Sequence, residues 1–194
     1  MKIGILGGTF DPVHRGHLKL AQNARDQFLL DKVIFVPASQ PPHKQALPSR
    51  ASAKDRYAMV RLAIEGEPFL EISDCELKRK GASYTFDTLC EFERKYPLDT
   101  FYLILGKDAF EGIDAWQHAA ELKKKVRFLV AKRGFDEVCA IEGALAEWIQ
   151  MPLCPISASA IREGLNQGRP VDDQITPKVL QYIHKHELYR KVWP

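Results

Sequence analysis

Two histidines three residues apart, close to a pair of glycines, form the segment of this chain best suited to chemistry. The segment runs from Gly7 to His17 and reads Gly-Gly-Thr-Phe-Asp-Pro-Val-His-Arg-Gly-His. Glycines let backbone N–H groups approach an oxyanion, and a helix start adds unpaired N–H donors and a partial positive charge. His14 and His17 share one helix face and can reach the same phosphates. The spacing therefore predicts a polyphosphate site.

A proline-rich loop after the second predicted strand carries two further groups that could meet a phosphate. Ser39–Arg50 is longer than most connections, which indicates a lid, and it contains Pro41-Pro42-His43-Lys44. The prolines pre-set an extended backbone, and Lys44 is a suitable point charge for a phosphate. Taken alone, the loop reads as a rigid surface segment. Beside the histidine segment, a binding role for His43 and Lys44 is favoured.

Two later helix starts could also hold anions. Ser83-Tyr84-Thr85 opens a predicted helix whose N–H groups could receive a carboxylate, although spacing alone favours a plain N-cap. In Ile156–Arg162, Ser157 can cap the helix, Ser159 can bind a phosphate oxygen and Arg162 can neutralise one. Arg133, at the end of the fifth predicted strand, is a weaker candidate of the same kind.

The fourth predicted strand ends at Gly106-Lys107-Asp108, and Trp116 follows eight residues after Asp108. A carboxylate at a strand end can accept hydrogen bonds from ribose hydroxyls, and an indole can stack on a flat aromatic ring. An N-cap role for Asp108 and a core position for Trp116 are about equally favoured on these residues alone.

No cluster of histidine, cysteine and carboxylate residues has the spacing of a dedicated metal cage. His184 and His186 lack nearby further ligands, so we expect them to pack or face solvent. Magnesium would arrive on nucleotide phosphates. Cys75, Cys90, Cys139 and Cys154 form no C-x-x-C pair, and they are expected to be free thiols in a reducing compartment.

Apolar runs of strand length alternate with helical patterns along the chain. Strands are predicted at Ile3–Leu6, Lys32–Pro37, Phe69–Ser73, Thr100–Leu105 and Val126–Ala131. Helices are predicted at Leu18–Leu30, Ala53–Glu65, Thr85–Tyr96, Glu142–Gln150, Ser157–Asn166 and Thr176–His186. Because the strands do not alternate apolar with polar residues, they predict a parallel sheet covered by helices on both faces.

This pattern predicts a Rossmann-like, doubly wound α/β fold with a mainly parallel sheet and a small C-terminal helical part. We expect one domain over residues 1–194, with 157–194 as the helical part. Such sheets bind ligands beyond the carboxyl ends of their strands. The glycine turn after the first strand would lie at that edge.

Composition is that of an ordinary globular protein, with 45% hydrophobic and 27% charged residues. A net charge of +3 suits a small anionic substrate and is too small and dispersed to favour nucleic acid. The chain has no secretory apolar region and no run of 18 apolar residues, which favours a cytoplasmic protein without membrane contact. The oligomeric state is left open, a homo-oligomer included.

The first segment resembles the G-x-F-D-P-x-H-x-G-H signature of the nucleotidyltransferase superfamily that carries the HIGH motif. Nearly end to end, the chain resembles bacterial nicotinate mononucleotide adenylyltransferases. Landmarks besides those above are Arg56-x-x-Met59, Asp87-Thr88-Leu89 and Val179–Tyr189. That family joins ATP to nicotinate mononucleotide with magnesium, giving deamido-NAD and pyrophosphate in NAD biosynthesis.

The resemblance implies a role for each matching residue. It implies catalysis by His14, His17, Lys44 and Arg162. It implies ATP binding by Gly7, Gly8, Thr9, Phe10, His14, His17, Gly106, Asp108, Ile156, Ser157, Ser159 and Arg162. It implies mononucleotide binding by His43, Lys44, Tyr84, Thr85, Trp116 and Arg133, with Thr85 at the pyridine carboxylate and Trp116 stacked on the ring.

Two positions depart from the family pattern, and they concern the pocket rather than the reaction class. Ala158 replaces a hydroxyl residue in the last motif, and Lys107 replaces a small residue between Gly106 and Asp108. Two alternatives stay open. The acceptor could be nicotinamide mononucleotide or phosphopantetheine, or the domain could be a non-catalytic nucleotide sensor. An RNA-binding module is disfavoured because no basic stripe or aromatic platform is present.

Overall fold

Six parallel strands form one sheet in the part of the chain that the computed structural model describes, residues 1–40, 50–132, 140–152 and 154–189. The strands are β1 (Lys2–Gly8), β2 (Lys32–Pro37), β3 (Leu70–Ile72), β4 (Thr100–Gly106), β5 (Arg127–Ala131) and β6 (Ala146–Ile149). Their order is β3-β2-β1-β4-β5-β6. The predicted Rossmann-like parallel sheet is confirmed. The order of the strands changes direction between β1 and β4, and folds of this kind open a ligand-binding crevice at that point.

Helices cover both faces of the sheet. They are α1 (Arg15–Phe28), α2 (Ala53–Ala63), α3 (Cys75–Lys78), α4 (Thr85–Lys95), α5 (Lys107–Glu111), α6 (Ala119–Lys125), α7 (Ala158–Asn166) and α8 (Pro177–Lys185). On β2, Val33 and Phe35 pack with α1, α2, α7 and α8, whereas Ile34 and Val36 pack with the other four helices. Both strand faces are therefore buried, which explains the unbroken apolar runs.

Gly4 allows the first face of the sheet to close. A Cβ at Gly4 would lie 2.7 Å from Cδ1 of Ile104 and 2.9 Å from Cδ1 of Leu30. The glycine therefore lets β4 and the end of α1 approach the middle of β1, at the strand that carries the histidine segment.

The predicted helix over Glu142–Gln150 is wrong. Gly143 has a left-handed backbone with φ of +76°, which stops a helix there, and Ala146–Ile149 forms β6. This strand pairs in parallel with β5, with Trp148 opposite Val130. The alanines, leucine and glutamate of the segment favour a helix locally, but pairing at the sheet edge overrides that preference.

The other predicted elements are present with small shifts in their ends. Helix α1 begins three residues before the predicted Leu18, and it ends where Leu29 adopts a left-handed backbone with φ of +52°. Residues 41–49 of the predicted lid lie outside the described residues. No helix of the described chain is long and apolar enough to cross a membrane.

Candidate active site

The turn after β1 brings the two histidine rings together at the start of α1. His14 is the N-cap residue, and the imidazole rings of His14 and His17 stack with centroids 3.7 Å apart. The backbone N–H of His14 donates to Nδ1 of His17 over 3.2 Å. The edge of the Phe10 ring meets the His17 ring at 5.0 Å. The two imidazoles therefore form one unit at the carboxyl edge of the sheet.

Burial keeps the His14 imidazole uncharged at neutral pH. The side chain is 8% exposed, and desolvation lowers its pKa from 6.5 to about 4. Its Nδ1 atom is buried and has no hydrogen-bond partner among the described residues. An unpaired buried donor or acceptor costs free energy, so this ring is held in place at a cost to stability.

Helix α7 delivers Arg162 to the same turn. Its Nη1 donates to the carbonyl oxygen of Asp11 over 2.6 Å, and its Nη2 donates to Oγ of Ser159 over 3.1 Å. Ser157 caps the helix by accepting from the N–H of Ala160. The arginine is only half-buried. A permanent cation thus lies against the turn that carries the histidines.

Two residues to which the sequence analysis gave no role hold this turn in place. Arg56, 1% exposed, donates from Nη1 to the carbonyl oxygen of Thr9 over 2.6 Å and from Nη2 to that of Ser39 over 3.2 Å. Asp11 is 6% exposed, and its carboxylate accepts hydrogen bonds from the backbone N–H groups of Arg50 and Ala51. An arginine on the buried, apolar face of α2 was the available signal for such a role.

A cavity of about 620 Å³ opens beside the turn, at the carboxyl ends of β1, β2 and β4. Its lining includes Ile5, Gly7, Gly8, Thr9, Val36, Ala38, Glu76, Ser83, Tyr84, Thr85, Thr88, Leu103, Leu105, Ala109, Ala115, Trp116 and Gln117. A Cβ at Gly7 would meet no atom within 4 Å, so this glycine leaves space open at the cavity wall. Because Gly7, Gly8 and Thr9 belong to both, the cavity and the turn are continuous.

The start of α4 forms one wall of the cavity, and half-buried Trp116 forms another. Thr85 is the first helical residue and Tyr84 the N-cap, whose side chain makes no cap hydrogen bond. Helix starts present N–H donors and a partial positive charge, which suits a carboxylate. The sequence-predicted Tyr84, Thr85 and Trp116 thus surround one space.

A buried hydrogen-bond network forms part of the cavity wall. The Thr88 hydroxyl donates to Oε1 of Glu76 over 2.7 Å and accepts from Nη1 of Arg79 over 3.3 Å. The Ser83 Oγ accepts from the N–H of Ser39 over 2.9 Å. Burial raises the pKa of the Glu76 carboxyl above its ordinary value. Sequence reasoning gave Glu76 no role, although it lies only seven residues before the Ser83-Tyr84-Thr85 motif.

The remaining predicted residues lie less close to the cavity, or outside what the structure describes. Gly106 ends β4 and Asp108 lies in the first turn of α5, where both are exposed and neither lines the cavity. Ile156 packs against the core just before α7. His43, Lys44 and Arg133 lie outside the described residues. Within the described chain no group of three metal-binding side chains occurs.

The comparison with protein families agrees with this geometry. The model of the cytidylyltransferase-like family matches residues 5–164, which include the turn, the cavity and the start of α7. The chain belongs to the cytidylyltransferase-like family. Many of its relatives carry the name "Probable nicotinate-nucleotide adenylyltransferase".

Relatives match this family member over nearly its whole length. A protein of Desulfitobacterium hafniense (strain Y51) named "Probable nicotinate-nucleotide adenylyltransferase" is 40% identical over 97% of this chain and 96% of its own. One of the same name from Gloeobacter violaceus is 42% identical, with the same coverage. The solved structure of Plasmodium falciparum nicotinic acid mononucleotide adenylyltransferase complexed with NaAD shares the fold. It has a TM-score of 0.82 and 23% identity over 97% of each chain.

Proposed function

We propose that this protein transfers the adenylyl group of ATP to nicotinate mononucleotide, giving nicotinate adenine dinucleotide and pyrophosphate. The observation that carries the proposal is the continuity of two different sites at one sheet edge. A turn with two imidazoles and an arginine fits phosphates, and the adjoining cavity has an aromatic wall and a helix start. Full-length relatives bearing the name of this activity support the same conclusion.

The reaction needs alignment and charge stabilisation rather than a nucleophilic side chain. The nucleophile is a phosphate oxygen of the mononucleotide, already anionic at neutral pH, so no general base is required. It attacks the α-phosphorus of ATP in line with the departing pyrophosphate; one P–O bond forms as another breaks. His14, His17 and Arg162 stabilise the charge that develops on the transferring and leaving groups.

An uncharged His14 fits this role. Its ring is neutral at neutral pH, and it can donate a hydrogen bond to a phosphate oxygen without first losing the hydration of a cation. Gly7, Gly8, Thr9 and Phe10 supply the backbone turn that follows the triphosphate. Ser157, Ser159 and Ile156 extend the ATP site at the start of α7, and Gly106 and Asp108 receive the adenosine ribose.

The donor set fits magnesium carried by the nucleotide rather than held by the protein. The described site offers imidazole, guanidinium and N–H donors, which bind phosphate oxygens, and no carboxylate cluster. When bound to the phosphates, Mg²⁺ neutralises charge on ATP and on pyrophosphate. The side chains of this chain then orient the phosphates.

The cavity provides the binding site for the acceptor, nicotinate mononucleotide. Trp116 stacks on the pyridine ring, and the N–H groups at Tyr84 and Thr85 receive its carboxylate. His43, Lys44 and Arg133 complete the mononucleotide site at its phosphate. A helix start binds a carboxylate more strongly than a neutral amide, so nicotinate mononucleotide is preferred over nicotinamide mononucleotide.

Pyrophosphate release with ATP and magnesium tests the proposal. Nicotinate mononucleotide, nicotinamide mononucleotide and phosphopantetheine are offered in parallel to the purified protein. We expect kcat/KM to be highest for the nicotinate form by at least tenfold. A higher value with either other acceptor would overturn the acceptor assignment, and no release with any of them would overturn the enzymatic function.

A further inference from the structure

Three segments that are distant in sequence meet at the carboxylate of Asp11: Asp11 itself, Arg50 with Ala51, and Tyr189. Asp11 belongs to the turn after β1, residues 9–17, which we call the phosphate turn. Oδ2 accepts from the N–H of Arg50 over 2.9 Å, and Oδ1 accepts from the N–H of Ala51 over 3.2 Å. Oδ1 also accepts from the hydroxyl of Tyr189 over 2.7 Å, although Tyr189 lies 178 residues further along the chain. The Tyr189 bond is the shortest of the three and the only one of them made by a side chain.

The same aspartate contacts Arg162 through its backbone. Its carbonyl oxygen accepts the 2.6 Å hydrogen bond from Nη1 of Arg162, and His14 follows three residues later. A change in the carboxylate's position therefore shifts the peptide that holds Arg162. Two hydrogen bonds therefore connect Tyr189, through Asp11, to Arg162.

Tyr189 is built into the core as a neutral donor. Its side chain is 8% exposed, and its ring belongs to the apolar cluster that contains Phe10 and Val13. Burial and the hydrogen bond to Asp11 raise the pKa of the phenol, so the hydroxyl keeps its proton across the pH range of enzyme assays. A neutral donor satisfies the buried carboxylate without adding a cation, which leaves Arg162 available to ligand phosphates.

We propose that Tyr189 is a positioning residue for adenylyl transfer, which acts by fixing the Asp11 turn and thereby the place of Arg162. The proposal rests on the proposed function, since the group that Arg162 stabilises is the transferring phosphate. It adds a residue from the end of the described chain to a site otherwise formed by β1, α1 and α7.

The test compares Tyr189→Phe with Tyr182→Phe. Tyr182 is a matched control because its hydroxyl also donates to an aspartate, Asp55 Oδ1 over 3.0 Å, away from the turn. Each substitution removes one hydroxyl and keeps the ring. We expect Tyr189→Phe to lower kcat/KM for ATP about tenfold, mostly through kcat, because hydrogen bonds to charged groups are the strong ones. Tyr182→Phe should stay within twofold of the original protein.

A double-mutant cycle separates positioning from general destabilisation. Arg162→Lys is made alone and together with Tyr189→Phe, and all variants are assayed below their melting temperatures. If Tyr189 acts through Arg162, removing its hydroxyl from the Arg162→Lys protein should change kcat less than threefold. Additive losses, or a Tyr189→Phe protein with unchanged kcat and KM for ATP, would overturn the proposal.

Failure of the proposed function gives a different result. In that case the original protein releases no pyrophosphate with any acceptor offered. Activity in the original protein that is insensitive to the Tyr189 hydroxyl contradicts the positioning role alone. A preference for another acceptor leaves the expected ATP effect unchanged, because the Asp11 turn faces the nucleotide phosphates.

Discussion

The phosphate turn and the cavity are neighbours, yet they are built in opposite ways. Residues 9–17 of the turn are fixed by donors from distant segments, with Arg56 on Thr9, Arg162 on Asp11 and Tyr189 on the Asp11 carboxylate. The cavity is about 620 Å³ of space bounded mainly by apolar side chains. Ligand binding at the turn therefore depends on the positions of charges and hydrogen-bond donors, whereas ligand binding in the cavity depends on its shape.

Their buried ionisable groups show the same contrast. Burial lowers the pKa of His14 in the turn and raises that of Glu76 in the cavity wall. Both shifts favour the neutral form, because a charge is costly away from water. The turn therefore loses stability as pH falls and the cavity wall as pH rises. A substitution or a change in pH should accordingly affect one region before the other.

Replacing His17 with alanine should cause the largest effect, confined to the ATP side. We expect kcat to fall about 100- to 1000-fold, as for loss of one preorganised donor at a developing charge. The KM for nicotinate mononucleotide should change less than threefold, since the cavity keeps its lining. Steady-state pyrophosphate release checks both values.

His184→Ala is the matched control for that prediction. His184 is exposed on α8, outside the turn and the cavity, so its loss should leave kcat unchanged. An intact kcat in His17→Ala would show that the stacked histidine pair does not carry the chemistry. A large rise in the mononucleotide KM would show that the two regions are not separable.

Acidification should weaken the turn through His14. Its pKa is about 4 in the folded protein and 6.5 unfolded, so between these values the unfolded chain binds more protons. Stability is full above pH 6.5 and falls as pH drops towards 4. At about 1.4 kcal/mol per pKa difference of one, the loss reaches about 3 kcal/mol. Urea unfolding of the original protein and of His14→Gln across this range measures the difference in slope.

Glu76→Gln is the control for the opposite region. The folded pKa of this carboxyl lies above its unfolded value, so its contribution is present at low pH and is lost as pH rises through the folded pKa. The variant should therefore keep the His14-dependent loss on acidification. If His14→Gln keeps the full acid sensitivity of the original protein, His14 is not the group responsible.

The sheet could be predicted from sequence because its strands are locally distinctive. Buried apolar runs of four to six residues occur only in such strands or in buried helices, and β2 was predicted with its exact bounds, Lys32–Pro37. β6 was not, because Ala146–Ile149 becomes a strand only through its pairing with β5. The composition of those four residues does not indicate that pairing.

The candidate site divides in the same way. The histidine pair lies in a short motif that indicates phosphate chemistry from its own residues, whereas Thr85 and Trp116 were assigned roles only through the family resemblance. The supports of the turn are not readable in this way. Arg56 reaches Thr9 across 47 positions and Tyr189 reaches Asp11 across 178, and no periodicity connects such pairs. Sequence patterns thus indicate candidate ligand-binding groups, and they do not indicate the distant groups that hold the turn in place.

Substitution of Trp116 has the smallest predicted effect. It is also the sharpest test of whether the cavity acts through its shape. Replacing Trp116 with alanine removes a stacking surface worth about 1–3 kcal/mol, so the KM for nicotinate mononucleotide should rise at least about fivefold. Trp116→Phe keeps an aromatic face and should recover most of that loss. The KM for ATP should stay within threefold in both variants, because the proposed function assigns the ATP phosphates to the histidine turn and the acceptor ring to Trp116. A parallel rise in both KM values would mean that the cavity and the turn respond as one site, and the contrast between charge placement and shape would fail.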